Sequence, residues 1–245
     1  MNFIEISNTF YTIRELWFKI DENLKSVSAS FDENGMKSLE EICNKLKLKT
    51  EYIDISSLCS NDTQNIEKQA WTKKNYTIIL SNDTDSNGTI YLDNLIEEND
   101  KNFAYASAIV CYFIYLESKE DKPIYASEYF KNTEKPYYNG YVINPYFTFQ
   151  KEEATPISSK DDFVIESLSY MLLVPFWVFN EYDEKLVKIY LAEYKKNKDV
   201  AVKQLEKHNK DVICKICEKY KISINTFYKA KSIHELLNRF QFLMH

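Results

Sequence analysis

Two short stretches near the end of the chain have residues at spacings that can bind metal or exchange electrons. Residues 234–238 have the sequence HELLN, which is an HExxH zinc motif with Asn238 in place of the second histidine. Cys214 and Cys217 form a C-x-x-C pair. HELLN has no third ligand nearby, and the cysteines have neither a second pair nor a preceding strand. We therefore interpret HELLN as part of a surface helix and the cysteines as core residues.

Cys111 is a third candidate, as a nucleophile. A catalytic thiol needs a base to take its proton, and histidine is the usual partner. All three histidines of the chain, His208, His234 and His245, lie in its C-terminal part. A Cys–His dyad therefore requires the fold to bring that part to Cys111, and nothing in the sequence indicates that it does.

The composition excludes several classes of protein. The chain has three glycines, and neither a GxxxxGK[ST] nor a GxGxxG phosphate loop can be assembled from them. It is 44% hydrophobic and 15% aromatic, which is enough to bury a sizeable core. Five scattered cysteines indicate reduced thiols, and no signal peptide or run of eighteen apolar residues is present. The sequence predicts a cytoplasmic protein without a membrane span.

The charge of the chain is unevenly distributed. The net charge is −6, but residues 185–245 contain 14 Lys+Arg and 6 Asp+Glu. Such a basic section can contact nucleic acid or an acidic partner. A solvated, lysine-rich helical face explains the same charge, and the sequence contains no helix-turn-helix that we recognise. Nucleic-acid binding is therefore ranked last among the hypotheses.

The spacing of apolar residues predicts an α+β fold with a small sheet. The predicted helices are 8–28, 36–48, 102–117, a helix from the SSKDD stretch to Pro175, 183–196, 198–220 and 223–239. The predicted strands are 50–58, 76–80 and 89–92. The helix 102–117 has almost no polar face, so we expect it to be buried all round. Residues 118–160 contain four of the five prolines and much of the tyrosine, which indicates a long insertion or a β-loop.

Three segments carry a resemblance to a known family. They are NFAYA at 102–106, LLVP at 172–175 and KYKISINTFYKAK at 219–231. Together they resemble the ImmA/IrrE family of zinc metallopeptidases, whose pattern is RFTxAHELGH, then ExxANxFAxxLLMP, then a helical tail. The resemblance implies a zincin-like domain with a small sheet, two central helices and a helical tail. Peptidases of this family are cytoplasmic, are common on phages and mobile elements, and cleave repressor-type regulators. The resemblance therefore also implies a cytoplasmic protein from a phage or mobile element.

The resemblance places non-catalytic residues at the family's metal site. Ser107 takes the position of the first histidine, Ala108 that of the glutamate and Cys111 that of the second histidine. Asp162 falls on the third ligand and Ser169 on the alanine of the second motif. Serine is a poor zinc ligand, and alanine cannot transfer a proton. The resemblance therefore implies an inactive relative for which no cofactor is expected, although Cys111 and Asp162 leave room for a non-standard metal site. Asp162 also fits the acidic first turn of a helix.

The resulting hypothesis is a catalytically inactive, peptidase-like protein that binds another protein, such as a repressor-type regulator. Its domains would be an N-terminal helical segment 1–30, a zincin-like domain 31–182 and a basic helical region 183–245. Tyrosines in 118–160 are candidate interface anchors, or else pack together in a β-hairpin. They are Tyr137, Tyr138, Tyr141 and Tyr146. The alternatives are an active metallopeptidase with a non-standard site and a nucleic-acid-binding protein acting through the basic tail.

Overall fold

A computed structural model describes most of the chain. The described residues are 3–26, 39–53, 76–80, 85–118, 159–194 and 198–242. The four candidate tyrosines of 118–160 lie outside them. The chain divides into two compact units, Met1–Ser169 (unit 1) and Tyr170–His245 (unit 2). The domain boundaries expected from the family resemblance, after residues 30 and 182, stay predictions.

Within the described residues the chain forms seven helices and three strands. In chain order they are α1 (Phe3–Ser26), α2 (Leu39–Lys45), β1 (Leu48–Ile53), β2 (Tyr76–Leu80), β3 (Gly88–Asp93), α3 (Glu98–Glu117), α4 (Ser159–Leu173), α5 (Phe176–Tyr194), α6 (Lys198–Tyr220) and α7 (Ile224–Phe242). The predicted α+β class is confirmed. The structure is mostly helical, with the small sheet confined to one part of unit 1.

In the described part of the chain, the sheet has three strands in the order β1–β3–β2. β1 runs parallel to β3, with Leu48 opposite Gly88, whereas β2 runs antiparallel to β3, with Ile78 opposite Ile90. Burial alternates along β3, so that Gly88, Ile90 and Leu92 face the core and the residues between them are partly exposed. This alternation is the period of two expected for a strand with one buried face.

Helix α3 is the central element of unit 1. Every residue from Ala104 to Cys111 is buried, which confirms the prediction of burial all round for the middle of the helix. Tyr112 is half-buried and Leu116 is exposed, so the prediction is wrong nearer the C-terminal end. The Cys43 thiol of α2 points to the backbone carbonyl of Tyr105 at 3.7 Å, and the Tyr76 ring of β2 lies 6.3 Å from Phe103. α3 is therefore held between a helix and the sheet.

Pro175 separates α4 from α5. The predicted start of the next helix at residue 183 is wrong, because α5 begins at Phe176. Proline favours the first positions of a helix, where its missing N–H costs nothing, and the Pro175 carbonyl accepts the Val178 N–H at 2.9 Å. No single described helix is long and apolar enough to cross a membrane; only the pair broken at Pro175 meets that length and composition when taken together.

Unit 2 has an aromatic core of its own. The Phe227 ring of α7 is fully buried and lies 5.3 Å from Phe179 and 5.4 Å from Tyr182, both on α5. The Tyr220 ring of α6 lies 5.0 Å from Trp177 of α5. Helix α5 therefore supports both α6 and α7.

Candidate functional site

The positions that the resemblance aligns with HExxH lie on the buried face of α3. Ser107 is 1% exposed, and Ala108 and Cys111 are fully buried. These residues are buried because the middle of α3 is apolar on all sides and packs against its neighbours. No side chain at these three positions reaches the solvent.

Ser107 makes a hydrogen bond that joins α3 to α4. Its Oγ lies 3.1 Å from the Oγ of Ser169, which is itself fully buried. The Ser169 hydroxyl donates to the Ile165 carbonyl at 2.7 Å, so the Ser107 hydroxyl must donate to Ser169. The structure therefore brings together the two helices that carry the family resemblance. A pair of serines connects them at the position expected for the first metal ligand.

The third expected ligand is not described in full. Asp162 lies in the first turn of α4, but its side chain is outside the described part of the chain. Glu166, one turn later, is exposed. Among the described residues, no group of three or more His, Cys, Asp and Glu side chains is arranged to hold a metal ion. Cys111 belongs to unit 1, whereas His208 and His234 belong to unit 2.

His234 of the HELLN segment is an aromatic packing residue of unit 2. Its ring stacks on Phe179 at 5.0 Å and meets the edge of Phe176 at 3.9 Å. Burial lowers the pKa of His234, and its Nδ1 is buried without a hydrogen-bond partner among the described residues. Glu235 pairs with Lys231 one turn earlier. The expectation of a surface helix is therefore only partly right, since His234 faces inward.

The C-x-x-C pair lies on α6. Cys217 is buried and Cys214 is half-buried. Burial raises the pKa of the Cys217 thiol to about 11. Reactive and metal-binding cysteines need the thiolate, which a lowered pKa favours. The environment of Cys217 is therefore that of a structural core residue.

Sequence reasoning missed a polar cluster that is centred on one carboxylate of α5. Glu181 accepts hydrogen bonds from Lys185 at 2.8 Å, from Lys219 at 2.7 Å and from the Tyr220 hydroxyl. Partial burial raises the pKa of Glu181, but these hydrogen bonds outweigh it and lower the pKa to about 2. The spacing of Glu181 and Lys185 was visible in the sequence, whereas the partners on α6 are almost forty residues away. The cluster ties α5 to α6.

Sequence reasoning also missed the connection between α6 and α7. It consists of the three residues Lys221, Ile222 and Ser223. Lys221 has a left-handed backbone, with φ 52°. The Ile222 N–H donates to the Cys217 carbonyl at 3.0 Å, and the Ser223 hydroxyl accepts the Thr226 N–H at 3.0 Å. Both helix ends at this turn are therefore capped.

The chain was compared with family models, with curated proteins and with solved structures, and none of them matches. The family resemblance rests on the residues quoted above.

Proposed function

We propose that this chain is a catalytically inactive relative of the ImmA/IrrE peptidases, with a zincin-like unit 1, and that it acts by binding another protein. The observation that supports this proposal is the buried hydrogen bond between Ser107 and Ser169. It joins the helices that would carry the two halves of the metal site. It also occupies the hydroxyl that stands where the first histidine would bind zinc.

Hydrolysis by such a site needs a metal-bound water and a general base. Ala108 stands at the position of the base, and losing a general base costs about two to four orders of magnitude in rate. The three buried positions on α3 also leave a scissile peptide no route to these side chains. Binding a partner needs only shape and apolar contacts, which survive the loss of the ligands. A repressor-type regulator is the partner that the resemblance implies.

The competing proposal is an active metallopeptidase that uses Cys111 and Asp162. Such a site would need at least one further ligand to complete a catalytic zinc centre of three protein ligands. It predicts stoichiometric zinc that is lost in Cys111→Ala. This difference makes metal content the first measurement.

The test is elemental mass spectrometry on protein purified without chelator and without a nickel column. We expect zinc well below one atom per chain. The matched variant Ser107→His/Ala108→Glu/Cys111→His restores the family's motif, and we expect it to take up about one zinc. Adding Asp162→Asn should remove that zinc. Circular dichroism checks that each variant is folded.

Two outcomes would overturn the proposal. One zinc per wild-type chain that disappears in Cys111→Ala would favour the active enzyme. A folded restored variant that takes up no zinc would contradict the relationship to the family.

The proposed binding of another protein is tested by size-exclusion chromatography with a panel of repressor-type transcription factors. Comigration of an intact factor supports the proposal, whereas cleavage of a factor, or comigration of none, contradicts it.

A further inference from the structure

We propose that Asn87 is a site of spontaneous deamidation, which the fold protects and which reacts when the contact between β3 and the turn from α2 to β1 opens. The product is aspartate or isoaspartate, formed without an enzyme and with water as the co-reactant. Each of the three glycines of the chain follows an asparagine, at 34–35, 87–88 and 139–140, and the described residues include the pair 87–88. The proposal concerns unit 1 and does not depend on the proposed binding function.

An asparagine followed by a glycine contains both the nucleophile and the electrophile of this reaction. The backbone nitrogen of Gly88, once it has lost its proton to hydroxide, attacks Cγ of Asn87. The Cγ–Nδ2 bond breaks, and the amide nitrogen takes a proton from water and leaves as ammonia. Water then opens the five-membered imide at either carbonyl, so that asparagine and water become ammonia and aspartate or isoaspartate. Glycine favours the attack because no Cβ hinders the approach of its nitrogen.

The fold engages the nucleophile of this reaction. The Gly88 N–H donates to the Ser86 hydroxyl at 3.1 Å, and both residues are buried. Gly88 also stands opposite Leu48 of β1 and Leu80 of β2 in the register of the sheet. A backbone amide in a buried hydrogen bond gives up its proton to the solvent only after the bond opens. The Gly88 nitrogen therefore becomes reactive when the start of β3 opens.

The fold also engages the amide group that must leave. Asn87 Nδ2 donates to the Leu46 carbonyl at 2.7 Å and to the Tyr112 hydroxyl at 3.0 Å. The backbone N–H of Asn87 donates to the Lys47 carbonyl at 3.0 Å. Asn87 is thus fixed to the turn between α2 and β1 and to α3. Both hydrogen bonds of the amide must break before its nitrogen can leave as ammonia.

Deamidation weakens the contact that holds the start of β3 against this turn. A carboxylate only accepts hydrogen bonds, so an aspartate at position 87 has no hydrogen to donate to the Leu46 carbonyl. Two acceptors then face each other in a half-buried place, which is unfavourable. Isoaspartate adds one carbon atom to the main chain, which displaces Gly88 from its position opposite Leu48. A chain that has reacted is therefore permanently changed and refolds with a weaker junction.

The test is peptide mapping by mass spectrometry after the full chain has been incubated at mildly alkaline pH in heavy-oxygen water. One sample is native and the other is unfolded in guanidinium chloride. A heavy oxygen at residue 87 identifies a reaction that preceded the digestion. We expect the three Asn-Gly pairs to react at similar rates in the unfolded chain. Asn87 should react about 100-fold more slowly in the native chain, because only the open fraction reacts.

Tyr112→Phe tests whether the hydrogen bonds of the amide protect Asn87. The variant keeps the ring and removes the acceptor, so the native reaction should accelerate about 3- to 10-fold, the usual effect of one hydrogen bond. The rate in the unfolded chain should not change. The matched control Tyr52→Phe removes the hydroxyl of an exposed tyrosine four residues further along β1. It should leave the native rate within about 2-fold of the wild type.

Asn87→Asp supplies one product of the reaction by mutation. We expect it to unfold at a lower urea concentration than the wild type. Asn8→Asp adds the same charge at an exposed position of α1 and should unfold at the wild-type concentration.

Four outcomes would overturn the proposal. They are equal rates for Asn87 in the native and the unfolded chain, no reaction of Asn87 in the unfolded chain, a native rate that Tyr112→Phe leaves unchanged, and an Asn87→Asp chain as stable as the wild type.

Discussion

At the scale of single residues, His234 carries a titratable ring in an aromatic contact. Its ring lies between Phe176 and Phe179, and the charged groups near it are Asp183, Lys231 and Glu235. Burial lowers the pKa of His234 below that of an unfolded histidine, about 6.5. The unfolded chain therefore binds more protons than the folded chain as the pH falls below this value.

We expect unit 2 to be most stable above pH 6.5 and to lose stability as the pH falls towards 5. His234→Phe keeps a ring in the contact and removes the titration, so it should flatten this part of the pH dependence. Urea unfolding followed by circular dichroism between pH 7.5 and 5 measures the difference. If wild type and variant lose stability in parallel, another group causes the loss.

Glu181 responds to a different range of pH. Partial burial raises its pKa, but its hydrogen bonds with Lys185, Lys219 and Tyr220 hold it at about 2, below the ordinary range of a glutamate. The stabilisation is therefore complete above that ordinary range and is lost as the pH falls towards 2. We expect Glu181→Gln to lower the free energy of unfolding by about 1 kcal/mol at pH 7, and to have little effect near pH 2. Urea unfolding at both pH values checks this, and Glu184→Gln, at an exposed carboxylate on the same helix, is the control.

At the scale of secondary structure, the turn between α6 and α7 places a lysine where glycine is usual. The left-handed conformation costs a residue with a Cβ about 1–2 kcal/mol, whereas glycine loses about 0.4–1 kcal/mol more on folding. We therefore expect Lys221→Gly to stabilise unit 2 by about 0.5–1 kcal/mol. Lys221→Ala is the control, since it removes the charge and keeps the Cβ. If both variants change the melting temperature by the same amount, the charge of Lys221 and not its backbone conformation accounts for the change in stability.

The outcome of the sequence analysis differs between local and distant features. The periodicity of apolar residues predicted the existence of each described helix and strand, because burial of one face follows directly from it. Several boundaries were wrong: β1 begins at Leu48, inside the helix predicted for 36–48, and α5 begins at Phe176. Pro175 was interpreted as a stop, whereas it also starts α5. Lys221 concealed the turn between α6 and α7, since neither glycine nor asparagine marks it.

The candidate site depended on contacts that local patterns do not encode. Ser107 and Ser169 are 62 residues apart in the chain, and no local sequence pattern marks either of them as a contact residue. The alignment to a family pattern assigned them to two different motifs and did not predict their hydrogen bond. The role of the tyrosines in 118–160 as interface anchors and that of Asp162 as a metal ligand stay predictions from the sequence.

At the scale of the whole molecule, the chain divides into two compact units, each of which buries apolar residues. Unit 1 buries residues of the sheet and α3, such as Ile78 and Ile90, and unit 2 buries Phe227. Proteins with more than one core often unfold in steps, each with its own free energy. Hydrogen exchange measures such steps segment by segment.

We expect Phe227→Ala to lower the protection of amides in residues 212–237 by about 3–5 kcal/mol, the usual cost of removing a buried ring. The amides of 88–93 in β3 should change by less than about 0.5 kcal/mol. Tyr228→Ala is the neighbouring exposed control and should leave both segments within about 0.5 kcal/mol of wild type. Equal loss of protection in the two segments would mean that the chain unfolds as one unit.

The order of the strands has a consequence for folding during synthesis on the ribosome. Of the three described strands β3 is the last to be synthesised, yet it lies between the other two and pairs with both. A nascent chain that has emerged only as far as residue 87 has two strands that are not neighbours and lack their common partner. The backbone groups of β1 and β2 that pair with β3 stay unpaired until β3 leaves the exit tunnel. We therefore expect a chaperone to bind the growing chain during this interval.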